Sequence, residues 1–313
     1  MSVLVSIAIA TYNGEQFLEE QLNSIYSQTY KNFEVVVADD ASEDKTVEIL
    51  DKYEKLFGLI YSVNQKRLGV VKNFETAVAK CKGKYILLSD QDDVWLPNKI
   101  NQLLENIGNA SLIYSDGIIY HGENEIKPKR ISNEKWISLF GTDSSNKDFL
   151  KYTLLNSFIL GCSMMFDREI LEDAIPFYES NLNHDWWLVL CAQNKKGIKY
   201  LNEVLFKYRI HESNFSMLQA KGKKSMYKRL VLFFWFETLP EVQEKKVLIK
   251  RMLNQFKNSF ENRFFSDLLM YSNSKRAILN IKGFWNVLKY RKFFFPNFSP
   301  FRRSCAVLIS LIK

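Results

Sequence analysis

The chain has 313 residues, 47% hydrophobic and 25% charged, enough to bury a sizeable core and too apolar for a disordered tail. Gly (12) and Pro (6) are too scarce for collagen-like or low-complexity sequence. The net charge of +8 hides an asymmetry: residues 1–216 hold 23 Lys and Arg against 30 Asp and Glu, and residues 217–313 hold 20 against 5. A basic segment of that kind suits an anionic partner, a membrane surface or a nucleic acid.

In chain order, Val3–Ile9 is a short β-branched run that reads as a buried strand, and residues 15–28 carry Phe17, Leu18, Leu22 and Ile25 at helical spacing. Strands follow at Phe33–Ala38, Leu59–Val63, Tyr85–Ser89 and Ser111–Ser115. Between them lie helices over about 44–57, Val70–Cys81 and Pro97–Ile107. This alternation predicts βαβ units and a mainly parallel sheet covered on both faces. Residues 121–150 are polar and irregular and read as a loop over one edge; residues 151–215 return to mixed helix and strand. Beyond Asn214 the pattern is helical and basic. The expected organisation is an α/β half (about 1–115), a second half (about 116–215) and a C-terminal helical region, 216–313.

The four cysteines, Cys81, Cys162, Cys191 and Cys305, form no C-x-x-C pair, which fits a reducing compartment. No apolar run approaches the roughly 18–20 residues that span a bilayer, and Met1-Ser2-Val3-Leu4 lacks the basic start of a signal peptide. The expectation is a cytoplasmic protein that at most lies on the inner face of the cell membrane.

Ligands of an open parallel sheet bind beyond the carboxyl ends of its strands. Here the first strand runs into Ala10-Thr11-Tyr12-Asn13-Gly14, the second into Asp39-Asp40-Ala41-Ser42-Glu43-Asp44, and the fourth into Asp90-Gln91-Asp92-Asp93. Carboxylates gathered on one rim repel, and a hard cation such as Mg²⁺ or Mn²⁺ relieves that repulsion and can bridge diphosphate oxygens. The plainer alternative is helix capping by Ser42 or Asp44, with Asn98 in the opening turn after Pro97. No G-x-G-x-x-G follows the first strand, and neither a P-loop nor a G-x-S-x-G elbow is present.

Those three segments, with Val94-Trp95-Leu96-Pro97 after the last, resemble the hallmark segments of family 2 glycosyltransferases. Together with His184-Asp185-Trp186-Trp187 they resemble bacterial rhamnosyltransferase-type members of surface-polysaccharide synthesis. The resemblance implies a GT-A fold over residues 1–215, with a nucleotide half (about 1–115) joined to an acceptor half (about 116–215), and a nucleotide-diphosphate sugar donor, with Mn²⁺ or Mg²⁺ as cofactor. It places Ala10 and Tyr12 at the nucleoside, with Asp40 or Asp39 accepting from the base. Asp90 falls at the ribose or the metal shell with Gln91 beside it, and Asp92 at the metal. Asp185 is then the base of an inverting transfer, although an Asp before Trp186 also suits a helix cap. His184 and Trp186 fall on the acceptor side. In Tyr208-Arg209-Ile210-His211, Arg209 is a candidate for phosphate and His211 for a third metal ligand, and Lys66 and Arg67 can reach the diphosphate or be surface charge.

The tail interleaves Lys and Arg with aromatics over 221–236 and 282–303. An amphipathic helix of this kind lies in an anionic membrane interface, which suits a lipid-linked saccharide acceptor; packing as a helical bundle or homo-oligomer is the alternative. No nucleic-acid module accompanies it, so no nucleic acid is expected. Two rivals remain, a sugar-phosphate nucleotidyltransferase and a non-catalytic membrane scaffold with a relic nucleotide-sugar fold.

Overall fold

A computed structural model of the protein describes residues 2–120, 130–131, 145, 153, 159–177 and 183–211. The chain divides into two units, Met1–His211 and Glu212–Lys313, and every described residue belongs to the first. Nearly all of the loop expected over 121–150, and the whole of the tail, lie outside the described residues.

In the first half, β1 (Val5–Thr11), β2 (Phe33–Asp39), β3 (Ile60–Val63) and β4 (Tyr85–Ser89) alternate with α1 (Leu18–Tyr26), α2 (Thr46–Phe57) and α3 (Val70–Ala79). Val5, Ile7, Ala8 and Ile9 of β1 are all buried; a strand apolar on both faces needs cover on both faces. The helices supply it with stripes at helical spacing: Leu18, Leu22 and Ile25 on α1, Leu50 and Tyr53 on α2, Phe74, Ala77 and Val78 on α3. Gly58 ends α2 in a left-handed conformation with φ 72°, which a glycine adopts without a Cβ clash.

The second half adds β5 (Val94–Trp95), α4 (Lys99–Asn106), β6 (Leu112–Tyr120), β7 (Met164–Asp167), α5 (Leu171–Ala174), α6 (His184–Asn194) and β8 (Ile198–Arg209). The sheet runs β3-β2-β1-β4-β7-β6-β8-β5. Strands β1 to β4 are mutually parallel, β7 is antiparallel to both β4 and β6, and β8 is parallel to β6. The sheet is thus mostly parallel, with β1 between β2 and β4 in its first half.

Three local expectations shift. Strand β1 starts and ends two residues later than its apolar run, because its ladder with β2 continues to the pair Thr11 and Asp39. Strand β6 runs on to Tyr120, where β8 is its partner across register shifts at Ser115 to Ile118. Of the two capping candidates Asp44 rather than Ser42 serves the start of α2, its Oδ1 accepting from the Thr46 N–H (2.9 Å), and Asn98 stands at the start of α4 without a side-chain cap. Among the described residues no helix is long and apolar enough to cross a membrane.

Candidate active site

The carboxyl ends of β1, β2 and β4 form the floor. Residues leaving β1 are fastened to the loop after β2. The Asn13 N–H donates to Ser42 Oγ (2.9 Å), Gly14 N–H to Thr46 Oγ1 (2.7 Å), and Glu15 N–H to Asp44 Oδ2 (3.0 Å). The turn carries two non-glycine residues at positive φ, Asn13 at 47° and Ala41 at 60°. Such backbone costs about 1 kcal/mol or more and persists only where its surroundings hold it.

Asp39 and Asp40 are buried and anchor this region. Asp39 accepts from Thr11 Oγ1 (2.8 Å), Ser42 N–H (2.9 Å) and Ser42 Oγ (2.6 Å). Asp40 accepts from the N–H groups of Leu68 (2.7 Å) and Gly69 (2.8 Å) and from Asn64 Nδ2 (3.0 Å). Half-buried Ala10 and Tyr12 lie on the same rim, and the exposed Arg67 guanidinium stacks 4.0 Å from the Tyr12 ring centroid. Lys66 is exposed beside it.

The segment after β4 is built differently. Ligand atoms of Asp90, Asp93 and Cys162 lie within 4.8 Å of one another. Asp93 is buried; its Oδ1 accepts from the Arg209 N–H (3.2 Å), whereas Oδ2 is buried without a well-formed hydrogen bond. Burial, then the charges of Asp93, Asp92 and Asp185, push the Asp90 carboxyl well above the usual carboxylate range. Burial and Asp92 raise Asp93 to about 7. Asp92 turns the other way, to His211, with Oδ2 and Nε2 2.8 Å apart.

Residues at the end of β8 clamp this segment. Arg209 Nε donates to the Asp92 carbonyl (2.8 Å), and its guanidinium pairs with Glu20 (2.5 Å) between the rings of Phe17 and Tyr120, each 4.7 Å away. The His211 ring packs on Phe17 at 4.6 Å. Arg209 thus braces the acidic segment, and His211 joins Asp92.

Asp185 sits in the first turn of α6, where Asn183 is the cap residue; the helix begins at His184, ahead of the position that would make Asp185 its cap. The Trp186 N–H donates to Asp185 Oδ1 (2.6 Å). Burial lifts the Asp185 carboxyl to about 6, against the N–H groups of Trp186 and Gly161, which lower it. His184 is buried, stacked on Phe74 at 4.1 Å, and burial lowers it to about 3, so its imidazole is neutral at physiological pH. Trp186 donates its Nε1–H to the Thr153 carbonyl (2.6 Å). His184 and Trp186 are both buried, and a Cβ at Gly161 would lie 3.3 Å from His184 Nε2.

Three residues escaped the sequence reading. Asp93 is indistinguishable from Asp92 in a run of acids, and only the alternation of neighbouring side chains sends one outward and the other inward. Cys162 comes from a distant segment, and no spacing announces it. Lys99 is fully buried, donates Nζ–H to the Cys162 carbonyl (2.5 Å) and stacks 3.8 Å from the Trp95 ring centroid. Burial lowers it to about 8, opposed by the nearby charges of Cys162, Asp93 and Asp90. Its signal was a lysine falling on the apolar stripe of α4 beside Ile100 and Leu103.

A divalent cation fits this donor set. Among the described residues the ligand atoms of Asp90, Asp93 and Cys162 gather within 4.8 Å, Asp93 Oδ2 lacks a well-formed partner, and Asp92 and His211 hold an oxygen and a nitrogen 2.8 Å apart. Oxygen ligands with one imidazole suit Mn²⁺ or Mg²⁺.

Comparison with known proteins finds relatives of this chain. The sequence pattern described as Glycosyl transferase family 2 matches residues 6–175. The dTDP-rhamnosyl transferase RfbG of Shigella flexneri is 29% identical over 243 residues, 72% of this chain and 78% of its own. Among solved structures, S. aureus TarS in complex with UDP-GlcNAc superposes with a TM-score of 0.54 at 19% identity, covering 92% of this chain and 81% of that one. Mannosyltransferase PcManGT from Pyrobaculum calidifontis, in complex with GDP-Man and Mn²⁺, gives 0.52 at 14% identity, covering 98% and 84%. At these identities the two structures speak for the fold alone.

Proposed function

The chain belongs to glycosyl transferase family 2, and from that premise we propose that it transfers a sugar, with inversion, from a nucleotide-diphosphate donor to a saccharide acceptor in bacterial surface-polysaccharide synthesis. The observation that carries the reading is the nearness of the Asp90–Asp93 cluster to Asp185: Cys162, whose sulfur lies within 4.8 Å of both clustered carboxylates, follows Gly161, where a Cβ would lie 3.6 Å from Asp185 Cβ. The likeness to RfbG makes a deoxysugar such as rhamnose the first donor to try.

In this reading the nucleoside lies along Ala10 and Tyr12, with Asp39 or Asp40 beneath as acceptor for the base and Lys66 and Arg67 at the diphosphate. Asp92, His211 and Asp90 would hold the cation, which would supply positive charge to the departing diphosphate. The Asp185 carboxylate accepts the proton of the acceptor hydroxyl while that oxygen attacks the anomeric carbon. A base of pKa about 6 is ionised near neutral pH, yet stronger than an ordinary carboxylate. The N–H groups of Trp186, in the first turn of α6, and of Gly161 fix its direction. His184, held neutral, and Trp186 shape the acceptor side. Arg209 contributes by holding the Asp92 backbone.

A thermal-shift panel of dTDP-, UDP- and GDP-sugars with and without Mn²⁺ tests the reading, since a ligand that binds the folded state raises the melting temperature. One nucleotide class should stabilise the protein, and more so with Mn²⁺; no shift with any of them refutes it. The basic segment 217–313 is proposed to attach the enzyme to the inner face of the membrane, near a lipid-linked acceptor. Salt-sensitive co-sedimentation with anionic vesicles supports that, whereas no co-sedimentation at low salt favours a bundle or oligomer interface.

A further inference from the structure

Gln91 stands between two acids, yet its side chain reaches across to the exit of β1. Its Oε1 accepts from the Tyr12 N–H (2.9 Å) and its Nε2–H donates to the Tyr12 carbonyl (3.1 Å). One side-chain amide thus satisfies both backbone groups of one residue, the service a neighbouring strand would give. A second observation concerns Gly14. Its φ is not among the positive values, so backbone conformation does not demand glycine there. Space does: a Cβ at Gly14 would lie 2.4 Å from Gln91 Oε1 and 2.7 Å from its Cδ. Nor can the loop swing aside, because Gly14 N–H is held by Thr46 Oγ1. The glycine and the glutamine therefore form one fitted pair.

We infer that Gln91 is a positioning residue that locks the Tyr12 loop to the acidic segment 90–93, so that the nucleoside contact and the cation ligands are assembled as one unit. This rests on the donor reading above. Coupling of that kind is reciprocal: whatever orders the acidic segment also orders Tyr12.

A double-mutant cycle tests it. The affinity of UDP, GDP and dTDP in the presence of Mn²⁺ is measured by calorimetry for the wild type, Gly14→Ala, Gln91→Ala and the double variant. Each single change should weaken binding of the nucleotide that the wild type prefers by about tenfold. The double variant should be no worse than Gln91→Ala within about twofold, because the methyl then has nothing to strike. Penalties that multiply overturn the inference. Gln91→Met, which keeps the side-chain volume but makes neither hydrogen bond, guards against a folding artefact. It should lose the same nucleotide affinity while Mn²⁺ binding without nucleotide, read by electron paramagnetic resonance, stays within about twofold. Wild-type nucleotide affinity in Gln91→Met, or an equal loss of Mn²⁺ binding, also overturns the inference. A wild type that binds none of the three nucleotides overturns the donor reading, and this inference with it.

Discussion

The two acidic clusters at the ends of β2 and β4 look alike as sequence and differ as chemistry. Asp39 and Asp40 are surrounded by donors: the N–H groups of Ser42, Leu68 and Gly69, with Thr11, Ser42 and Asn64 side chains. Their charge is met by the chain itself, and they hold loops in place. Asp90 and Asp93 instead face each other and Cys162 within reach of the Asp92 charge, and both carboxyls are pushed up. A group of carboxylates signals a cation only where protein donors fail to satisfy it. That lesson narrows the sequence-level picture of one acidic rim around one ion to the second cluster alone.

The comparison can be broken in four ways, from the largest effect to the smallest. Asp185→Asn should lower kcat by about 10³ while nucleotide affinity stays within about twofold, since general-base catalysis is worth roughly 10²–10⁴. The wild-type profile should lose activity as pH falls through about 6, where the raised Asp185 carboxyl takes up its proton. Normal turnover in the variant would assign the base elsewhere. Asp92→Ala should weaken Mn²⁺-dependent nucleotide binding by about 100-fold, roughly 2.7 kcal/mol; unchanged calorimetric affinity removes Asp92 from the cation site.

The remaining two set the clusters directly against each other. Asp40→Ala should destabilise the fold by about 2 kcal/mol in denaturant melts, because it strands the Leu68 and Gly69 N–H groups and the Asn64 amide. Asp93→Asn should do the reverse at pH 8 without added cation, raising stability by about 1 kcal/mol. The sign follows from linkage. Asp93 binds its proton more tightly folded, with a pKa of about 7, than unfolded, near 3.9, so its penalty grows as pH rises from about 4 to about 7 and is complete above that. The melting temperature without cation should fall over that window, and less steeply in Asp93→Asn. If both variants destabilise alike at pH 8, the distinction between anchoring acids and cation-seeking acids is lost.

Period and composition decided which segments of the first half become strands and helices. Val35, Val36 and Val37 can only bury both faces of a central strand, and Leu18, Leu22 and Ile25 only one face of a helix. Those local choices put Tyr12, Asp39 and Asp90 at strand ends, and Asp185 in the opening turn of a helix. Side-chain direction was beyond the sequence. Whether Asp93 turns toward Cys162 or Asp92 toward His211 depends on β7 and β8, strands that reach the site from far along the chain. Which acids are quieted by hydrogen bonds, which lysine is drawn into the core beneath them and which glycine is fitted to a glutamine all follow from contacts between distant segments. Short-range pattern fixes the elements, because they are stabilised within a few residues; long-range packing alone sets the local field and the hydrogen-bond partners on which the chemistry depends.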